Sequence, residues 1–345
     1  VSRLMFFVRQ GRNARGGAHI RDMNYPVSDH SDGEKFFNPE PTLHGGPRRR
    51  KGFLALLRAR LRRDPQTWAR WPQWVEDPAP EAVPEDGPSV TWVGHSTFLL
   101  RLPELNVLTD PVFSARCSPS QMAGPKRVRA PGLALEALPR IDLILLSHNH
   151  YDHLDLPSLR RLRAAFPAAR IVTLLGNGRY LDRRRVHEAH ELDWWETLSL
   201  HGAHITATPA RHFSARTLWD GNRALWGGFY VQHKAHRIFF AGDTGYTKFF
   251  SEIRHRLGPP DLALLPIGAY APRWFMAPVH MDPDDAVRAF ADLGAARAIG
   301  MHFGTFQLTA EGIDDPPQAL AAARARAGVA PEAFFTLGIG QSARF

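Results

Sequence analysis

The chain has 345 residues, 44% of them hydrophobic, enough to bury the core of one large domain or two ordinary ones. No apolar run approaches the ~18 residues of a membrane span, and the opening VSRLMFFVRQGR lacks the small-residue cleavage site of a secretory signal. The net charge of +9 sits in residues 1–70, with 15 basic and 6 acidic side chains, whereas residues 71–345 carry 28 of each, which argues against a basic nucleic-acid groove over the body.

Residues 1–35 lack hydrophobic periodicity and are expected to be disordered. Residues 36–88 read as an N-terminal extension. Within it RRRKGFLALLRARLRR, Arg48 to Arg63, holds eight basic residues and no acidic one. As a helix it aligns Phe53, Leu54, Leu57 and Leu61 in one stripe, with Arg58, Arg60 and Arg62 off it. Two readings stand open: a helix packed on the body, or one lying on an anionic membrane surface. Pro72–Pro88, dense in Pro and Glu, reads as a linker.

From residue 89 to 345 strands alternate with helices, as in a layered α/β catalytic domain. SVTWVGHSTFLLRL, NVLTDPVF, IDLILLS, ARIVTLL, HITATPA, ALWGGFYVQ, HRIFFAG, LALLPIG, RAIGM and FFTLGIG are the predicted strands. LDLPSLRRLRAAF, KFFSEIRHRLG, MDPDDAVRAFADLG and PPQALAAARARAG are the predicted helices, with Asp155 and Asp282 as N-caps. The lone Cys117 excludes an intrachain disulfide and fits a reducing compartment. It is expected to be a partly buried thiol. A cytoplasmic location follows, peripheral on the inner membrane surface if the basic helix binds lipid.

The segment SHNHYDHLD places His148, His150, Asp152 and His153 directly after a buried strand. Three more predicted strands end in a metal-competent residue: His212 after HITATPA, Asp243 after HRIFFAG, and His302 after RAIGM. Converging strand ends would gather seven N/O ligands, too many for one tetrahedral zinc. They suit two ions, one held by His148, His150 and His212, the other by Asp152, His153 and His302, with Asp243 bridging. Alternate residues of a strand end project to one side, so His148 and His150 can share an ion. Mixed imidazole and carboxylate ligation without thiolate favours Zn2+, with iron or manganese as the alternatives. His95, in GHST after a strand, is expected to hold a ligand's other atom.

These residues resemble the metallo-β-lactamase superfamily, whose signature is H-N-H-Y-D-H. FFNPEPTL, TWVGHSTFLL, LTDPVFSARCSPSQMAGPKRVR, ELDWWE, FFAGDTGY, PIGAYAPRWFM, HMDPDDAV and HFGTF, in chain order, more closely resemble the N-acyl-phosphatidylethanolamine-hydrolysing phospholipase D family. The resemblance implies an αββα four-layer sandwich and a dinuclear zinc phosphodiesterase that releases phosphatidic acid and N-acylethanolamine through a metal-bridging hydroxide. It implies the same seven metal ligands, and Asp152, His280 and Tyr151 as catalytic residues. His280 is the expected proton donor to the leaving group, and its alternative is an ordinary surface histidine. Packing at the helix entry is the alternative for Tyr151. The family's N-terminal tryptophans are replaced here by Glu40 and Leu43. The expected partner is a phospholipid at a membrane surface, with no nucleic acid, and a homodimer is allowed. Competing functions are a lactonase or a soluble-substrate phosphodiesterase on the same scaffold, and a non-catalytic metal-binding protein.

Overall fold

The computed structural model of the protein describes residues 25–39, 68–78, 84 and 87–345. Among these, two seven-stranded mixed sheets share one apolar core. The first sheet runs in the order β14 (Ser342–Arg344), β1 (Ser89–Gly94), β2 (Thr97–Leu102), β3 (Leu105–Thr109), β4 (Leu143–Leu146), β5 (Arg170–Leu174), β6 (Ala189–Leu192). The second runs β13 (Phe334–Phe335), β12 (Arg297–Met301), β11 (Leu262–Pro266), β10 (His236–Phe240), β9 (Gly228–His233), β8 (Ala203–Thr208), β7 (Thr197–Leu200). Pairing is antiparallel from β14 to β3 and from β7 to β10, then parallel to β6 and to β13.

The layering follows from strand alternation. In β4, Leu143 and Leu145 join the core between the sheets, while Ile144 and Leu146 join a second cluster with Leu159 and Leu162. Those two leucines belong to helix α1 (Leu156–Ala165), which covers the outer face of the first sheet. Burial on both faces explains why β4 reads as an unbroken apolar run. Helices α3 (Phe249–Leu257), α5 (Pro283–Leu293) and α6 (Asp315–Ala327) bury Phe250, Ile253, Ala286, Leu293 and Leu320 in the core shared by the sheets. The expected four-layer αββα arrangement is the one present. Short helices α2 (Asn177–Asp182) and α4 (Arg273–Met276) have no counterpart in the sequence reading.

Several local expectations are corrected. Asp282 does cap α5, its carboxylate accepting from the Asp285 amide at 2.9 Å. Asp155 precedes α1 without capping it; its carboxylate accepts instead from the Ser158 hydroxyl and the Ser114 amide. Strands β6 and β7 escaped notice because each is only four residues long, AHEL without alternation and TLSL alternating over too short a run to stand out. FFTLGIG yields a strand of only two residues.

The N-terminal residues 25–35, expected to be disordered, pack on the body. The His30 ring stacks on Trp194 at 4.4 Å, and its two nitrogens lie 2.7 Å from carboxylate oxygens of Asp29 and Asp193. Burial opposes a proton there, but the flanking Asp193 and Asp29 carboxylates raise the His30 pKa. Phe36 is buried in the core. Residues 68–78 are likewise docked rather than a free linker: the Ala69 amide donates to the Ala310 carbonyl and the Trp71 indole to that of Glu311, both at 2.8 Å. The basic segment Arg48–Arg63, with Glu40 and Leu43, lies outside the described residues.

Candidate metal centre

Every candidate metal ligand lies just beyond the C-terminal end of a strand: His148 to His153 after β4, His212 after β8, Asp243 after β10 and His302 after β12. The first three strand-end turns converge through glycine. Gly242 takes φ +60, and a Cβ there would meet the Gly227 carbonyl oxygen and the Ser147 Cβ, each at 2.7 Å. Nothing larger allows Asp243 to approach Ser147 so closely. Gly268 does the same for His302, whose carbonyl oxygen would lie 2.1 Å from an added Cβ. Three non-glycine residues at the site hold left-handed backbone: His95 at φ 54, Asp110 at 31 and His302 at 65. Such conformations cost of order 1–3 kcal/mol each and gather where function over-determines the backbone.

The expected cluster forms, in two halves. His148 Nε2 lies 2.9 Å from His150 Nδ1, which lies 3.2 Å from His212 Nε2. In the other half, His302 Nε2 is 3.2 Å from His153 Nε2 and 3.3 Å from Asp152 Oδ2. Asp243 Oδ2 stands between them, 3.1 Å and 3.0 Å from His153 and His302, and 3.9 Å and 3.8 Å from His148 and His212.

Hydrogen bonds behind the rings fix which nitrogen faces inward. The Ser147 hydroxyl donates to Asp110 Oδ2 at 2.6 Å and so accepts from His148 Nδ1 at 2.9 Å. His153 Nδ1 donates to the same Asp110 oxygen at 2.6 Å, and His212 Nδ1 to the Val279 carbonyl at 2.9 Å. When these imidazoles are neutral, each turns a lone pair to the centre. Lone pairs at such separations repel unless a cation lies among them. Ligands at zinc distances of ~2.0–2.1 Å would stand roughly 3.3 Å apart, which matches these gaps. Asp243 Oδ1 is buried with no hydrogen-bond partner among the described residues, a further vacant donor position. The residues therefore fit a pair of metal ions.

Electrostatics without a metal agree. Burial and the neighbouring imidazoles push His148 well below its usual value, and burial does the same for His212. Burial lowers His150 to about 4. Asp152 and Asp243 are held well below the carboxylate range: burial opposes this, but His153 and then other imidazoles outweigh it. Burial also opposes protons on His153 and His302, yet the two carboxylates raise His153 well above its usual value and His302 to about 9. Two imidazolium charges thus balance two carboxylates in the metal-free cluster.

Of the further residues, His95 does what its position suggested, its Nε2 lying 3.0 Å from Asp152 Oδ2. His280 is buried, which removes the surface reading, with Nδ1 4.0 Å from Asp243 Oδ2. The Tyr151 hydroxyl donates to the Arg216 carbonyl at 3.1 Å, and the Arg216 guanidinium lies 3.9 Å from the Tyr151 ring centroid. Arg216 in turn donates to the carbonyls of Asn149 and Leu154 at 2.7 and 2.8 Å, clamping both ends of the histidine loop. Tyr151 therefore meets the site through Arg216. Cys117 is buried, as expected, and burial raises its pKa.

Three residues were missed. Asp110 ends a strand in LTDP, the same signal that marked Asp243. Arg216 and Asn38 act through backbone groups and leave no pattern. Asn38 pairs twice with the His212 backbone, its Nδ2 donating to the carbonyl at 2.8 Å and its Oδ1 accepting from the amide at 3.1 Å. Asn38→Ala should weaken zinc binding about tenfold, read by chelator competition, with circular dichroism unchanged. Wild-type affinity would show that His212 is held without it.

Comparison with known proteins follows the same lines. A model of the β-lactamase superfamily domain matches residues 105–303. The chain belongs to the metallo-β-lactamase superfamily. A solved structure, of a possible metal-dependent hydrolase from Veillonella parvula, covers 75% of this chain and 100% of its own with a TM-score of 0.60 at 14% identity, a likeness of fold. An uncharacterized protein of Mycobacterium tuberculosis is 42% identical over 240 residues, 68% of this chain and 63% of that one. The N-acyl-phosphatidylethanolamine-hydrolyzing phospholipase D 1 of Caenorhabditis elegans is 39% identical over 234 residues, 65% of this chain and 66% of the worm protein. The chain thus spans less than two thirds of the mycobacterial relative it matches. It carries the domain of this superfamily, with a His/Asp cluster suited to metal.

Proposed function

We propose that this chain is a dinuclear zinc phosphodiesterase of phospholipase D type, which hydrolyses N-acyl-phosphatidylethanolamine-like lipids to phosphatidic acid and N-acylethanolamine. The observation that carries it is Asp243 Oδ2, which stands within 4 Å of imidazoles from both halves of the cluster. The similarity to the worm phospholipase supplies the substrate class. His148, His150 and His212 would hold one ion; Asp152, His153 and His302 the other; Asp243 both. Zinc in such a pair supplies an ionised water near neutral pH and neutralises phosphoryl charge.

The chain's own residues orient the ligands and offer a hydrogen bond to the leaving group. Asp110 and His95 keep His153 and Asp152 aimed inward. Asp152 adds a negative charge that keeps the second half selective for a cation. His280, lowered to about 3 mainly by burial, is neutral at physiological pH and offers one N–H toward an oxygen leaving the site. Tyr151 stacks under Arg216 and so positions the histidine loop.

The deciding experiment is hydrolysis of N-acylated phosphatidylethanolamine vesicles beside bis-p-nitrophenyl phosphate. Activity on the soluble ester alone would favour a small phosphodiesterase, and activity on neither would sink the phosphodiesterase reading. Elemental analysis should give close to two transition-metal ions per chain. One ion, unchanged in Asp243→Ala, would contradict the bridge. His280→Ala should lower turnover about 100-fold with metal content unchanged. Metal loss in that variant would make His280 a ligand instead.

A further inference from the structure

Among the described residues, four of the seven exposed large apolar side chains sit on segments around the metal centre, the others being Val27, Phe37 and Trp74. Leu218 is 93% exposed, Met122 91%, Trp219 86% and Trp274 62%. Leu218 and Trp219 follow Arg216, which clamps the histidine loop. Trp274 follows Arg273, whose guanidinium donates to the His280 carbonyl at 2.9 Å. Met122 tips a loop that begins at Cys117, and Cys117 lies in an apolar cluster against which Tyr151 packs. Every one of these side chains therefore projects from a segment that frames the metal centre.

The tips are braced in place. Asp220 Oδ1 accepts from the amides of Arg216 and Thr217 at 3.0 and 2.8 Å, and Thr217 Oγ1 from that of Trp219 at 3.2 Å. Arg116 donates to the carbonyls of Gln121 and Gly124 at 3.2 and 2.5 Å, fixing the Met122 loop. Holding a leucine and a tryptophan rigidly in water gains nothing unless something apolar meets them.

Charge says what that is. Arg183, Arg184 and Arg185 form an exposed run after α2. The Arg184 guanidinium lies 5.0 Å from the Tyr180 ring centroid and that of Arg216 4.8 Å from the same ring, so the run adjoins the Leu218–Trp219 turn. The nearby acids are engaged elsewhere, Glu188 with Arg163 and Arg170, and Asp182 with His187. Lys126, at the foot of the Met122 loop, is also exposed. Apolar tips beside arginines match the layering of an anionic bilayer, with acyl chains below phosphates.

We infer that the Leu218–Trp219 turn, the Met122 loop and the Arg183–Arg185 run form the face by which this chain docks on an anionic phospholipid bilayer, presenting head groups to the metal centre. The inference rests on the phospholipase reading of that centre.

The test is sedimentation of the full zinc-loaded chain with vesicles of phosphatidylcholine, with and without phosphatidylglycerol. The paired variant Leu218→Ser, Trp219→Ser should lose about tenfold in vesicle affinity. Arg183→Gln with Arg185→Gln should lose affinity only for the phosphatidylglycerol vesicles, and less so at high salt. Melting temperature and metal content should not move, because all four side chains are exposed. Wild-type affinity in both variants overturns the inference, as does a wild-type chain that binds neither vesicle. So does a concentration-dependent dimer abolished by Trp219→Ser, which would make this a contact between copies. Failure of the phospholipase reading looks different: vesicles bound through this face, with no product released from N-acylated phosphatidylethanolamine.

Discussion

Asp243→Asn lowers turnover on a phosphodiester by more than about 100-fold, beyond the 10–100-fold typical of residues that merely orient a ligand, while the fold survives. The side chains are isosteric, so the tight turn at Gly242 beside Asp243 is undisturbed. What changes is charge. Asp243 Oδ2 is the one carboxylate oxygen within 4 Å of both cluster halves, facing His148 and His212 on one side and His153 and His302 on the other. A neutral amide offers no charge to offset two dications, and its NH2 presents hydrogens to whichever half it faces. Metal content should fall toward one ion per chain together with turnover. A variant that keeps wild-type turnover and two ions would show that the halves work without a bridge. Asp152→Asn provides the contrast: Asp152 Oδ2 contacts only His95, His153 and His302, so its loss should empty one half alone.

The centre was legible in the sequence because of where its residues stand. Parallel strands buried on both faces read as apolar runs, so the first polar residue after each run is conspicuous. Asp243 and His302 are of this kind, while His148 and His212 stand one residue further on, after Ser147 and Arg211. Asp110 carries the same mark at the end of β3, but its carboxylate accepts from His153 and Ser147, behind the imidazole rings. Position at a strand end tells that a residue reaches the site, and says nothing of whether it touches metal or a ligand's far side. Asn38 and Arg216 were invisible for another reason. They pair with peptide groups, and a peptide group has no identity in the sequence. Order in residues 25–35 was missed because periodicity detects helices and strands, whereas this segment is held by isolated anchors such as His30 against Asp193.

Removing the metal should make the protein's stability fall as pH rises from about 6.5 to about 9, and reloading zinc should remove that slope. In the metal-free chain the Asp152 and Asp243 carboxylates are balanced by protons on His153 and His302. Burial opposes those protons, but Asp243 and Asp152 raise His153 well above the ordinary 6.5 and His302 to about 9. A base whose pKa is higher folded than unfolded binds more protons in the native state. Its stabilisation is complete below the unfolded value and is lost as pH climbs through the folded one. His148, His150, His212 and His280, all lowered, add slope only below about 6.5, and Cys117, raised by burial from an ordinary 9, only near and above that value. The window from 6.5 to 9 therefore isolates the two imidazoliums within the site. His30 is also raised, but it lies outside the cluster and contributes alike with and without metal, so the difference between the two forms cancels it. In a metal-loaded form both rings would be neutral ligands, and the metal would take over the balancing charge, with affinity that grows as protons leave. Melting curves of chelator-treated protein should drop by several degrees across the window while the zinc form stays level. Parallel curves for the two forms would mean that no proton is displaced by metal at His153 or His302, and that these two rings are not ligands.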